Sequence, residues 1–451
     1  MNKLRQTWIA LGSSLWFVPA LLALAGVGLA LLLVEADARV PREALLEWPR
    51  LFGGGAGGAR GMLSAIAGST VTVVGVTFSI TIVALSLASS QYTSRVLRNF
   101  MKDGANQFAL GVFAGLFAYC LVVLRTIRDT DEGRFVPSLA VLFGVVLALF
   151  GVGVLIYFLH HIASSIQASS VVAAVYTDTI KSVDHLFPKE LGDGAEDEGG
   201  AGPGRDPSRA NWHALAARAT GYVQGVDEDA LLAFARKRGA VVRMERGVGE
   251  FVVEGAALAS VAGVESLDES DGAALNDAYA LSRFRTVEQD AAFGVRQIVD
   301  IALKALSPGV NDTTTAVVCV DYLSAILARV ARRRVPARFR YEGGELRVVA
   351  KGPTFAALVS EAFDQIRQNA RDNPAVLARL LGGIETAAAF TRNEARRAVL
   401  REQVELVAAQ AERTVESGHD LEAVRTQAAA ARRALERGAG AGALMIEGVR
   451  V

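Results

Sequence analysis

Residues 69 to 94 read STVTVVGVTFSITIVALSLASSQYTS and lie within an uncharged run, Gly61 to Ser94, bounded by Arg60 and Arg95. The run is apolar enough to enter a bilayer, yet it places a hydroxyl at almost every helical turn. Uncharged hydroxyls have two uses in a membrane. They hydrogen-bond at tight helix contacts or back to their own i−4 carbonyl. They also line passive paths, offering water or a partly dehydrated ion a partner without a fixed charge to trap it. At about 100° per residue, Thr72, Ser79 and Ser86 share one narrow face, with Ser90, Gly68 and Gly75 beside it. Thr70, Thr77 and Thr81 form a second stripe with Ala84 and Ala88, while Val71, Val74, Phe78 and Leu85 make a third, bulky side. Packing and pore lining are both open to this helix. Two stripes can also divide the uses, one inside the subunit and one at the axis of an oligomer. Thr72, Ser79, Ser86 and Ser90 are the candidate pore-lining residues.

Other chemistry is sparse. Active transport usually places Asp, Glu, Lys or Arg inside the membrane, and the cores of the apolar runs hold none. Thr72-Val73-Val74-Gly75 lacks the run of filter carbonyls and the short pore helix of a potassium channel. His160 and His161 are adjacent and so point to different faces, which argues against a shared metal site. Cys120 and Cys319 have no neighbouring cysteine or histidine, so neither a disulfide framework nor a metal site is expected. There is no P-loop, HExxH or GxSxG. No catalytic residue, cofactor or metal is therefore assigned, and no enzyme activity is expected. Lys and Arg together number 47, as do Asp and Glu. That balance gives no bulk electrostatic case for nucleic acid.

The most distinctive stretch away from the apolar runs is Arg283–Leu323. Arg296, Asp300 and Lys304 fall at i, i+4 and i+8 on one helical face. Ser307-Pro308-Gly309 stops that helix, Asn311 or Asp312 caps the next, and Thr313–Thr315 fill its first turn. Asn311, Asp312, Thr313 and Thr314 are candidates either for a plain helix corner or for an anion site at the helix N-terminus.

Four elements must position the hydroxyl stripe. About 20 apolar residues cross a bilayer, and four runs qualify: Ser13–Val34, a span within Gly61–Ser94, Gln107–Leu124, and one starting near Phe135. The first is too long for a signal-peptide core and is expected to stay as an anchor. The second and fourth exceed one crossing, the fourth being free of Asp, Glu, Lys and Arg as far as Thr177. Both are expected to project beyond the lipid together. Residues 1–177 thus form a transmembrane domain, 178–210 an acidic Gly-rich linker region expected to be mobile, and 211–451 a soluble cytoplasmic domain. The fold class is membrane α-helical with four spans, followed by an α+β domain with two β-hairpins (240–255 and 338–351) and several helices. Lys3, Arg5, Arg95, Arg98 and Lys102 favour both termini in the cytoplasm; Arg39, Arg42, Arg50, Arg60, Arg125, Arg128 and Arg134 in the opposite-side loops are more numerous, but the first of those loops also holds Glu35, Asp37, Glu43 and Glu47.

Two blocks, VTFSITIVALSLASSQYTSRVLRNFMKD and RTVEQDAAFGVRQIVDIALKALSPGVNDTTTA, together with the four-span layout, resemble an uncharacterised bacterial predicted-membrane-protein family built on one domain of unknown function. The resemblance covers nearly the whole chain. Thr313 stands where a Pro commonly follows the Asn-Asp pair in that family. The resemblance implies an inner-membrane protein with a cytoplasmic C-terminal domain and supplies no activity. The functional expectation is a homo-oligomeric membrane channel or passive pore whose soluble domain assembles or gates it. The alternative is a non-conducting membrane-anchored scaffold or sensor. The partners implied are the lipid bilayer and further copies of the chain, with no nucleic acid.

Overall fold

The long uncharged runs form helices, as their length and apolarity dictate. In the computed structural model, residues 16–39, 55–91, 103–130, 133–187, 211–335 and 337–437 are described. The chain divides into two compact units, one ending at Ser170 and one beginning at Val171.

The first unit holds α1 (Phe17–Arg39), α2 (Ala56–Gln91), α3 (Gly104–Thr126) and α4 (Ser138–Ser165). A short antiparallel pair, β1 (Arg128–Thr130) and β2 (Gly133–Phe135), joins α3 to α4. All four helices are long and apolar enough to cross a membrane. Helix α1 crosses α3 closely, and glycine makes this possible. A methyl group at Gly26 would run into the carbonyl of Gly115, and one at Gly115 would lie 2.8 Å from the carbonyl of Leu22. Small residues at a membrane helix contact let backbones approach and gain dispersion energy that lipid cannot supply.

Polar ties fix the end of the unit where α1 finishes and α4 starts. Pro137 stands at the N-cap of α4 and makes no side-chain cap bond. The carboxylate of Asp37, on α1, does so instead, accepting from the N–H groups of Leu139 and Ala140 at 3.0 and 2.9 Å. The buried Tyr119 hydroxyl of α3 donates to the Ala140 carbonyl at 2.6 Å. Arg60 of α2 donates to the Ile127 carbonyl at 2.9 Å. At the opposite end Asp103 caps α3 through Ala105 N–H and pairs with His161 Nε2 at 2.6 Å. His160, by contrast, is exposed, so the two histidines do face apart.

The fourth apolar run departs from expectation. It is two helices, α4 and α5 (Ala168–Leu186), separated at Ile166–Gln167. Helix α5 buries Val171, Val172, Val175 and Val183. The boundary expected at 177/178 therefore falls inside a helix, and Asp178–Leu186 is helical rather than linker. Apolar residues at three- and four-residue spacing continue past Asp178, and their burial holds the segment in place. The rest of the expected linker, 188–210, lies outside the described residues.

The second unit is α+β. One sheet has the order β3-β7-β5-β10-β9, with strands Trp212–Ala216, Ala257–Ala262, Val241–Met244, Glu345–Val349 and Phe339–Glu342. A second has the order β6-β4-β8, with strands Phe251–Val252, Gly221–Val226 and Tyr279–Ser282. Helices α6 (Glu228–Arg238) and α7 (Glu269–Asp277) accompany the sheets. The expected hairpin at 338–351 is present as β9–β10, turning at Gly343–Gly344, both at positive φ. The expected hairpin at 240–255 is not a hairpin. Strand β5 pairs with β7 and β10, whereas β6 pairs with β4. The N–H groups of Glu245 and Arg246 both donate to the Leu258 carbonyl, and Gly249, at φ 85°, donates to Val223. These bonds carry the chain from one sheet to the other instead of folding it back.

Among the described residues six further helices follow: α8 (Ala291–Ala305), α9 (Thr313–Ala331), α10 (Phe355–Ala370), α11 (Pro374–Ala388), α12 (Glu394–Thr414) and α13 (Gly418–Arg437). Helix α9 is also long and apolar enough to cross a membrane. Its Cys319, Val320, Leu323, Ile326 and Leu327 are instead fully buried among α8, α10 and α11. It is the core helix of this unit. Arg396 of α12, 2% exposed, closes its C-terminus by donating to the carbonyls of Val330, Ala331 and Arg333. A cation is favoured there because the helix dipole leaves its negative end at those carbonyls. Burial lowers that guanidinium to about 10, so it stays charged at neutral pH.

Candidate functional site

Helix α2 is one unbroken helix of 36 residues. At 1.5 Å per residue it is about 54 Å long, against a hydrocarbon core of about 30 Å. Its two hydroxyl stripes have different environments. Thr70, Thr77 and Thr81 are 5%, 0% and 5% exposed, and Ala84 continues the same buried line. With Ala56, Ala59, Leu63 and Ala67 they form the face packed inside the unit. Thr81 and Thr70 donate to the i−4 carbonyls of Thr77 and Ile66 at 2.8 and 2.6 Å. This is the packing stripe.

Thr72, Ser79 and Ser86 lie on an exposed face of the same helix. Thr72 donates to the Gly68 carbonyl at 3.2 Å and Ser79 to that of Gly75 at 2.8 Å. A hydroxyl has one hydrogen and two lone pairs. With the hydrogen turned back into the helix, Thr72 and Ser79 present acceptor oxygen outward. Nothing lies within 4 Å of where a side chain would begin at Gly61, Gly68 or Gly75, which continue this line at seven-residue intervals. The line of hydroxyls and glycines is therefore narrow, weakly polar and open along several turns, with Val76 and Val83 at its edge. Ser90 belongs to α2, and its side chain lies outside the described residues. Val71, Phe78 and Ile82 are also exposed and give the helix its bulky apolar side, while the exposed Val76 and Val83 stand at three- and four-residue spacing from Thr72, Ser79 and Ser86, beside the hydroxyls.

The second candidate group is a helix corner. Asn311 takes φ 48°, a left-handed conformation that asparagine tolerates. Asp312 caps α9, accepting from Thr315 N–H at 3.0 Å and Thr315 Oγ1 at 2.5 Å. Those bonds, hydroxyl first and then amide, hold its carboxyl below the usual carboxylate range. Thr313 Oγ1 accepts from Asn373 Nδ2 at 2.7 Å, tying this corner to the cap of α11. Thr314 is exposed. The carboxylate of Asp312 already occupies the helix N-terminus where an external anion would sit, which favours the corner over the anion site. Upstream, Arg296 pairs with Asp300 at 2.7 Å and with Glu361 at 3.3 Å. Lys304 is exposed.

Sequence reasoning missed the polar ties. Asp37, Tyr119 and the Asp103–His161 pair join residues 21 to 103 positions apart, and no local pattern announces them. Asp103 alone carried a signal, as an acidic N-cap ahead of an apolar run. Cys120 and Cys319 are buried free thiols. Among the described residues no group of three or more His, Cys, Asp or Glu is placed to hold a metal.

Residues 12–386 match the family described as Predicted membrane protein (DUF2254). Uncharacterised proteins of Mycobacterium tuberculosis (strains CDC 1551 / Oshkosh and H37Rv) and of Mycobacterium bovis are each 32% identical over 446 residues, covering 97% of this chain and 84% of theirs. No solved structure matches the chain. The match spans both units and nearly the whole sequence, and the chain belongs to this family of predicted membrane proteins.

Proposed function

We propose that the protein is a homo-oligomeric passive channel or pore, lined by the outer stripe of α2 and assembled or gated by its second unit. The observation that carries this reading is the separation of the two hydroxyl stripes. The buried one satisfies packing within the chain, so the exposed one, with its open glycines, is left without a structural task there. Acceptor oxygens facing a path favour water and small cations over anions. The reading needs no catalytic step, no cofactor and no nucleic acid. Its partners are the bilayer and further copies of the chain.

Flux from liposomes tests it, with subunit number measured in parallel. Wild-type protein should pass water or small cations. Ser79→Leu should block flux while the oligomer persists, and Ser79→Ala should do less because space is kept. An assembled wild-type protein that passes nothing across a range of voltage, tension and pH would instead support a non-conducting scaffold or sensor. We further propose that both termini lie on the cytoplasmic side of the inner membrane, on the basic residues flanking the first two spans.

A further inference from the structure

The three-stranded sheet β6-β4-β8 buries one face and leaves the other open. Side chains alternate along a strand, and β4 follows this closely: Gly221, Val223 and Gly225 are buried, while Tyr222, Gln224 and Val226 are half-buried. In the ladder Tyr222 stands opposite Phe251 of β6 and Ser282 of β8. Tyr222 and Phe251 therefore share the outer face, with ring centroids 5.0 Å apart. Val223 and Val252 take the inner face, in the core. Two residues on from Phe251 and from Ser282 come Val253 and Phe284. Phe251, Val253 and Phe284 are 49%, 55% and 61% exposed, three of the six large apolar side chains exposed among the described residues of the second unit. Such side chains scattered singly need no account, but neighbours on one sheet face mark an interaction site.

The two edges of this face carry opposite charges. Arg283 lies at the β8 edge beside Phe284, and Glu254 lies at the β6 edge beside Val253; both are exposed. Among the described residues neither side chain is in an ion pair. Both edges are tied to β4: Gln224 Nε2 donates to the Phe284 carbonyl at 2.7 Å, and the Glu254 N–H donates to Thr220 Oγ1 at 2.9 Å. Strands β6 and β8 both run antiparallel to β4, so Arg283 and Glu254 flank the same end of it. A two-fold axis parallel to β4 sets the β8 edge of one copy against the β6 edge of another. Aromatic rings then meet along β4, and each Arg283 meets the Glu254 of the other copy. An isologous contact requires this self-complementarity, and an aromatic centre with arginine is the composition of protein interfaces. An anionic lipid surface would instead select basic residues alone.

We propose that the outer face of β6-β4-β8 is where a second copy of this chain docks, with Tyr222, Phe251 and Phe284 at the centre and Arg283 and Glu254 at the rim. The interface rests on the reading that the protein is a homo-oligomer, not on conduction.

Cysteine cross-linking of the full-length protein in membranes tests it. In a background without Cys120 and Cys319, Arg283→Cys and Glu254→Cys are placed on separately tagged chains and co-expressed. Mild oxidation should join the two tags at least about tenfold more than it joins either variant to itself, because only unlike edges come within disulfide reach. Phe251→Asp on both chains should lower the mixed cross-link about tenfold with the melting temperature unchanged. Phe284→Asp should do the same and serves where the first variant fails to fold. Equal cross-linking in every combination, or a mixed cross-link indifferent to both aspartates, would overturn the proposal. So would the absence of a mixed cross-link in protein that melts as wild type does; quenching of a fluorophore at position 284 by brominated lipid would then assign the face to the bilayer. A mixed cross-link in protein without flux would leave this interface and overturn the pore. Flux without a mixed cross-link would overturn the interface and leave the pore.

Discussion

Two aspartates do the same job at different range. Asp312 caps the helix that begins at the next residue, and its role was legible in the sequence because N-caps are local. Asp37 caps a helix that begins 101 positions later, and its role was not legible, because only the fold brings α1 to Pro137. Replacing Asp312 with Ala should cost about 0.5–2 kcal/mol of stability at neutral pH, read by thermal or denaturant unfolding. The folded carboxyl is held below its usual value by Thr315. Its contribution is therefore fully present above the unfolded value of about 3.9 and is lost as pH falls through the folded one. The gap between wild type and Asp312→Ala should hold from pH 8 to 5 and shrink below about pH 4. A gap that persists unchanged at pH 2 would mean that packing, not the charged cap, carries the effect.

At the scale of elements, glycine marks two opposite situations. Gly26 and Gly115 stand in the α1–α3 crossing with backbone pressed against them, so Gly115→Leu should prevent that crossing and lower the yield of folded protein sharply. Gly68 and Gly75 face open space in the single chain. Gly75→Leu should leave the fold of one chain intact, seen as unchanged circular dichroism and melting temperature, and lower flux with the subunit count unchanged. Loss of subunits caused by that leucine would show that the face packs against a second copy instead of lining a path. The helical wheel of α2 made both stripes legible, but composition alone could not say which was buried. The break in the fourth run was hidden because no glycine or proline marks it. The first hairpin misled because alternation around a glycine turn fixes two strands and a bend, not which sheet each strand joins.

For the whole molecule, the four apolar helices and the α+β character of the second unit were readable from run length and periodicity, since both are one-dimensional signals. Helix α9 shows the limit of that signal, because a core helix and a span share length and apolarity. Orientation is a separate proposal with its own test. Single cysteines at Glu43 and Glu132, which lie outside the described residues, should react with an impermeant thiol reagent from outside intact cells. Gly200→Cys, likewise outside them, should not, and its labelling from outside would reverse the topology.

Thiol accessibility reads out whether the outer stripe of α2 faces a wet path. In a background without Cys120 and Cys319, single cysteines are placed along α2 from Thr70 to Ser86 in reconstituted oligomers. Each is treated with a small charged thiol reagent while flux is recorded. Positions 72, 79 and 86 should react with loss of flux, and positions 70, 77 and 81, which pack inside the unit, should be protected. Reaction at none of the three outer positions in a fully assembled protein, or equal reaction at both stripes, would contradict a wet path there.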